Sequence, residues 1–223
     1  MDDLLSLETR DLLKKFGAGS HKPGSGSAAA LLGLLAIKLC QTVAALTTGR
    51  PGYEEAAPIL GTHDSELADI EGWLEKAFQT DSEIFDEVIT LRRERDDSPP
   101  DSAARRQIND RLARASWRAT DLPLDMVDRL LRVGEVGVLT FQVGFLSARG
   151  DSALAVRAAQ GAASGAIAIV RLNLHTTRDV ERTRAAAGRS DAQQQTLQEQ
   201  IERFDRVEMS LRAGVDKRLK NRE

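Results

Sequence analysis

From Ala28 to Leu46 the chain carries a single charged side chain, Lys38, set among Ala, Gly, Leu, Ile, Val, Cys, Gln and Thr. A run of that length and polarity has few resting places in a folded protein. It approaches the roughly 20 residues that span a bilayer. Lys38, Gln41 and Thr42 sit in its middle, and small Ala and Gly stand where lipid-facing helices carry bulk. Those features predict a central helix enclosed by other helices, with no membrane partner. The rest of the chain must supply the enclosure. Aromatic residues are only 4%, so the core is expected to be Leu, Ala, Val and Ile, which suits close helix packing better than a β-sandwich.

Helical periodicity recurs along the whole chain. Residues 3–16 place Leu4, Leu5, Leu12, Leu13 and Phe16 on one face. A break rich in Gly and Ser follows at 17–26, and Ser27 is expected to cap the apolar run. Thr47 to Gly52 is a stop signal. Residues 64–91 resume the helical pattern, and Arg92 to Asp101 reads as a polar loop. A helix is predicted over 102–120, and a separate one from Asp121-Leu122-Pro123 to about Leu146, with proline in its first turn. Asp151 or Ser152 is expected to cap a small-residue helix reaching Leu174. Residues 177–221 read as a long polar helix with an apolar stripe through Leu197, Ile201, Phe204, Leu211, Val215 and Leu219. No segment alternates with a period of two. The expectation is one all-α domain over 1–223, a bundle of long helices around a buried apolar helix.

Lys and Arg total 31 against 34 Asp and Glu, a net charge of −3, so no basic excess calls for nucleic acid. Cys40 has no partner for a disulfide and reads as a small core residue. His21, His63 and His175 share no ligand spacing, so no metal site is expected. Met1-Asp2-Asp3 lacks the basic flank of a secretory signal, which makes a cytoplasmic setting the expectation.

The most informative stretch is the loop before the apolar helix. Gly24-Ser25-Gly26-Ser27-Ala28-Ala29 fits GxGxxA in form, but a dinucleotide fingerprint follows a strand, and here the preceding segment is helical. What remains is a Gly/Ser loop feeding free N–H groups at a helix N-terminus, which favours an anionic ligand or simply a tight turn. Lys38 must snorkel, pair with a carboxylate or face a cavity. His21 is the one histidine in the candidate loop.

His21-Lys22-Pro23-Gly24-Ser25-Gly26-Ser27-Ala28-Ala29-Ala30, followed by Gly33, Leu46-Thr47, Gly49 and Tyr53, resembles the opening motif of the cyclodeaminase/cyclohydrolase family. Asp81 with Phe85-Asp86, then Asp121-Leu122-Pro123-Leu124, Gly144 with Asp151, and Val170 to Leu174 are similar to later family landmarks, in order. Ser25, Arg50 and Phe145 depart from that pattern, standing where it has Gly, Lys and Asn. The resemblance implies an all-helical homodimer with a folate pocket near the Gly-rich loop and no metal or redox cofactor. It implies hydrolysis of methenyltetrahydrofolate or loss of ammonia from formiminotetrahydrofolate, a tetrahydrofolate derivative being substrate rather than cofactor. Either reaction needs a group that moves protons at an amidinium-like carbon and a carboxylate beside the cation. Asp151 and Asp81 are the catalytic candidates, with Asp86 a more exposed third. Pro23, Gly24, Ser25, Gly26, Ser27, Lys38, His21 and Phe145 are the candidate binding residues. Two other readings stay open: a divergent relative that takes another anionic small molecule, and a non-catalytic interaction module docking through its C-terminal helix.

Overall fold

The computed structural model describes residues 3–220, with the side chains of 212 and 215–220 also left undescribed. The helices are α1 (Thr9–Phe16), α2 (Ser25–Thr47), α3 (Ala56–Gly61), α4 (Asp64–Asp97), α5 (Ala103–Val143), α6 (Arg149–Leu174) and α7 (Val180–Lys220), with short 3-10 turns at Leu4–Ser6 and Leu146–Ala148. No strand occurs among the described residues. The fold is all-α. Met1, Asp2 and residues 221–223 lie outside it, as do the side chains of Val215 and Leu219 in the expected C-terminal stripe.

The apolar run is α2, and α4, α5 and α6 pack around it. Its buried face carries Ala29, Ala30, Gly33, Ala36, Ile37, Cys40 and Val43, the spacing of one helical stripe. Leu74 and Phe78 from α4, Met126, Val127 and Leu130 from α5, and Ala159, Ala163 and Ile167 from α6 close over it. Gly33 is required there, because a Cβ would lie 2.5 Å from Leu130 Cδ2 and 2.9 Å from Leu74 Cδ1. Burial pushes the Cys40 thiol up to about 12, so it stays protonated in the core.

α2 and α6 run antiparallel. Phe145 N–H, just before α6, donates to Thr47 Oγ1 at 2.9 Å, while the far end of α6 meets Gly24 and Ser25. Both helices are long and apolar enough to cross a membrane by length and composition, and about half of each is buried in this bundle. Their outer faces are also apolar. Leu32, Leu35 and Leu46 on α2 and Leu154 and Leu172 on α6 are exposed, Leu172 to 69%. Between the α6 leucines the exposed positions are Gly161, Ser164, Gly165 and Ala168, all small, and then Arg171.

Three expectations are corrected. Residues 102–120 and 121–146 are one helix, α5, with Pro123 inside it. Proline removes the N–H that would reach the carbonyl four residues back and ordinarily breaks a helix. Here Asn173 Nδ2 donates to that carbonyl, Ala119 O, at 2.7 Å and repairs the gap. The expected loop at Arg92–Asp101 is helical as far as Asp97, because the charged residues continue α4 on an exposed turn. The caps also differ. α2 starts at Ser25 with Gly24 before it, and α6 starts at Arg149, so Ser27 and Asp151 both lie within the first turn rather than at a cap.

Candidate functional site

The first turn of α2 leaves backbone N–H groups that the helix itself cannot satisfy. Gly24 precedes the helix and has no side chain to cap it. The partner comes from α4, distant in sequence. Asp81 Oδ2 accepts the Ser27 N–H at 2.9 Å and lies 3.2 Å from Ser27 Oγ, which also reaches the Phe78 carbonyl at 2.8 Å. The sequence left these donors to an anionic ligand or to a tight turn; in the fold a carboxylate of the chain takes the Ser27 donor. Gly26 makes the approach possible, since a Cβ there would lie 2.0 Å from Asp81 Oδ1. Desolvation raises the Asp81 carboxyl above its ordinary range, opposed by the bonds from the Ser27 N–H and hydroxyl.

Asp81 lines a cavity of about 180 Å³. His21, Gly24, Ser25 and Asn173 form the rest of its polar wall, and Ile84, Phe85, Leu122 and Ile169 its apolar wall. His21 Nε2 lies 3.1 Å from Asp86 Oδ1, and the imidazole packs against Phe85 with ring centres 5.8 Å apart. Lys22 Nζ pairs with Asp86 Oδ2 at 2.6 Å. Hydrogen bonds from Lys22 and then His21 hold the Asp86 carboxyl below its usual range. The loop is thus pinned to α4 at Asp81 and at Asp86. The Lys22–Pro23 peptide is cis, and Pro23 is buried behind the loop.

The remaining candidates lie elsewhere in the chain. Lys38 is exposed on α2 and pairs with Glu71 Oε1 of α4 at 2.5 Å, with Gln41 beside it. That bond, followed by one from Gln41, lowers the Glu71 carboxyl. Surface pairs of this kind contribute little, so Lys38→Ala is expected to change stability by less than ~1 kcal/mol, read by denaturant unfolding. Phe145 lies at the opposite end of α2, roughly 34 Å from Ser25 for a helix of 23 residues at 1.5 Å each. There the Arg50 guanidinium stacks 3.5 Å from the centre of the Phe145 ring, and Tyr53 meets that ring edge-on. Asp151, in the first turn of α6, belongs to that end as well. Within one chain the two catalytic candidates are therefore not brought together.

Asn173, noted in the sequence only as a landmark, is the one polar wall residue the candidate list lacked. Its signal was indirect: a proline deep in a helical pattern demands an outside donor. Three larger clefts exist: two of about 660 and 670 Å³ flank Trp117, each with four arginines in its wall, and one of about 360 Å³ lies at the end of α2 beside Arg50. None of the three is lined by a buried carboxyl, so the smaller cavity is the better candidate for proton chemistry. Among the described residues no three His, Cys, Asp or Glu side chains gather as metal ligands.

Comparison with known proteins follows the same lines. The family model described as formiminotransferase-cyclodeaminase matches residues 8–192. No curated protein sequence gives a significant match. Among solved structures, formiminotetrahydrofolate cyclodeaminase from Thermotoga maritima superposes with a TM-score of 0.80 at 16% identity, covering 93% of this chain and 98% of that one. At that identity the superposition speaks for the shared fold. The family match spans α1 to the start of α7 and includes the whole cavity: the chain belongs to the formiminotransferase-cyclodeaminase family.

Proposed function

We propose that this protein acts on a one-carbon-substituted tetrahydrofolate at the cavity beside Asp81, opening the methenyl bridge with water or closing it with loss of ammonia. The observation that carries the reading is the desolvated Asp81 carboxyl, fixed by Ser27 on the wall of a cavity at the family's opening motif. The solved relative named above is a formiminotetrahydrofolate cyclodeaminase, which supports the substrate class.

A carboxyl raised from its ordinary value toward neutrality transfers protons more effectively at neutral pH. In the hydrolytic direction Asp81 takes a proton from water as its oxygen bonds to the bridging carbon. The bond from that carbon to one nitrogen then breaks, that nitrogen receives the proton from Asp81, and the hydroxyl proton leaves to solvent as the formyl carbonyl forms. In ammonia loss the folate N–H nitrogen attacks the formimino carbon and passes its proton to the former imino nitrogen, the protonated carboxyl supplies the second proton, and the carbon–amine bond breaks to release ammonia and leave the methenyl bridge. No metal or redox group takes part in either sequence. The test is direct: purified protein without added metal is mixed with methenyltetrahydrofolate and, separately, with formiminotetrahydrofolate. Faster loss of the methenyl chromophore than in buffer, or enzyme-dependent ammonia release, is the expected result. Spontaneous rates in both assays would refute the reading.

The cavity, at about 180 Å³, is smaller than the ~300–1,000 Å³ of pockets that enclose ligands of this size. Its rim explains the shortfall. Ser25 and Leu172 belong both to the cavity wall and to the exposed apolar faces of α2 and α6. We therefore assign that face to a second copy of the chain, with the leucines of α2 and the small residues of α6 giving close helix contact and the partner closing the cavity. Sedimentation is expected to show a dimer at micromolar concentration and at least ~100-fold weaker association for Leu35→Glu, since a buried unpaired charge is strongly unfavourable. A monomeric wild type would contradict the assignment.

A further inference from the structure

Pro123 lies inside α5, and the carbonyl it leaves without a helical donor is that of Ala119, itself part of the cavity wall. Asn173 Nδ2 donates to this carbonyl at 2.7 Å. Only the NH2 of an amide can meet a carbonyl oxygen, so the bond fixes which way the side chain is turned. Its Oδ1 has no hydrogen-bond partner among the described residues, and Asn173 lines the same cavity as Asp81 and His21.

We propose that Asn173 is a substrate-binding residue whose Oδ1 accepts a hydrogen bond from an N–H on the edge of the reduced pteridine ring, and that Pro123 is the positioning residue that aims it. This rests on the folate reading above. With any other residue at 123, a backbone N–H competes for the Ala119 carbonyl and the amide is free to turn. The rest of the wall is largely apolar, through Ile84, Phe85, Leu122 and Ile169. In such surroundings a fixed acceptor discriminates strongly, because a ligand presenting an acceptor in place of an N–H leaves two buried groups unpaired.

The wild type is compared with Asn173→Ala, Pro123→Ala and the double variant by thermal unfolding and by steady-state kinetics with the tetrahydrofolate substrate. Asn173→Ala is expected to lower Tm by ~3–10 °C, since it strands the Ala119 carbonyl. In the Pro123→Ala background the same change is expected to shift Tm by less than ~2 °C, the new N–H having replaced the amide. Both single variants are expected to raise KM ~10-fold or more with kcat within ~3-fold of wild type. A merely structural amide makes KM follow stability; here Pro123→Ala keeps its Tm and still loses affinity. Additive Tm losses overturn the role of Pro123, and an unchanged KM in Asn173→Ala overturns that of Asn173. An inert wild type instead removes the folate reading on which both stand.

Discussion

Replacing Asp81 with Asn is expected to lower turnover of the tetrahydrofolate substrate by ~10²–10⁴-fold, the range for loss of a positioned general acid or base. Asn matches Asp in shape, and its carbonyl oxygen still accepts the Ser27 N–H, so the first turn of α2 keeps its cap. Stability separates the chemical role from the structural one. The Asp81 carboxyl is raised on folding because burial disfavours its charge. A group shifted in that direction favours the folded state at acid pH, and the contribution is lost as pH rises through the folded value. Ionised Asp81 is then a burden at neutral pH. Asp81→Asn should consequently equal or exceed the wild type in Tm at pH 7 while losing activity. It should also lose the wild type's gain in stability over the acid side of its titration. The comparison is Asp86→Asn, whose carboxylate is exposed and shifted the other way by Lys22 and His21. That variant should remain active within ~10-fold, its pairs being of the surface kind. Full turnover in Asp81→Asn would take the carboxyl out of the mechanism.

Gly26→Ala has the second large expected effect. The added methyl would stand 2.0 Å from Asp81 Oδ1, and nothing nearby can yield cheaply. The carboxylate is tied to Ser27, and Ser27 is itself fully buried against Phe78 and Ser82. Overpacking of this kind costs ~1–3 kcal/mol. Displacing Asp81 also strips the Ser27 N–H of its cap, for another ~0.5–2 kcal/mol. Calorimetry should show a Tm lower by several degrees, with activity falling as in Asp81→Asn. Gly24→Ala makes the contrast, since a Cβ there lies 3.6 Å from Asp81 Oδ2, an ordinary contact. It should be far better tolerated. Gly26 is thus explained by the carboxylate it admits, independently of any ligand.

Much of the architecture was legible in the sequence because helical periodicity is local. The composition of α2 announced a buried helix, and the small residues of α6 announced close packing. The continuity of α5 was not legible, because Pro123 locally reads as a helix start. What sustains the helix is Asn173, fifty residues away and on another element. The same holds for α4, where mixed charge between Arg92 and Asp97 looks like a loop until the helix beneath is seen. α3 was missed because one and a half turns of Ala, Pro, Ile and Leu give too short a pattern to register. For the site, motif order led to His21, Gly24, Ser25 and Asp81, which do line one cavity. Composition did not reveal that Asp81 folds back onto the loop, nor that Phe145 and Asp151 sit at the other end of α2. Lys38 shows the limit most clearly. Within an apolar run every face looks alike, and only Glu71, on the next long helix, determines that the lysine points outward.

A crystal structure with 5-formyltetrahydrofolate bound tests the central claim most directly. The pteridine is expected in the cavity of Asp81, His21 and Asn173, at the N-terminal end of α2, with the apolar face of a second copy closing over Ser25 and Leu172. Ligand bound instead at the Arg50–Phe145 end, or in the clefts beside Trp117, would contradict it.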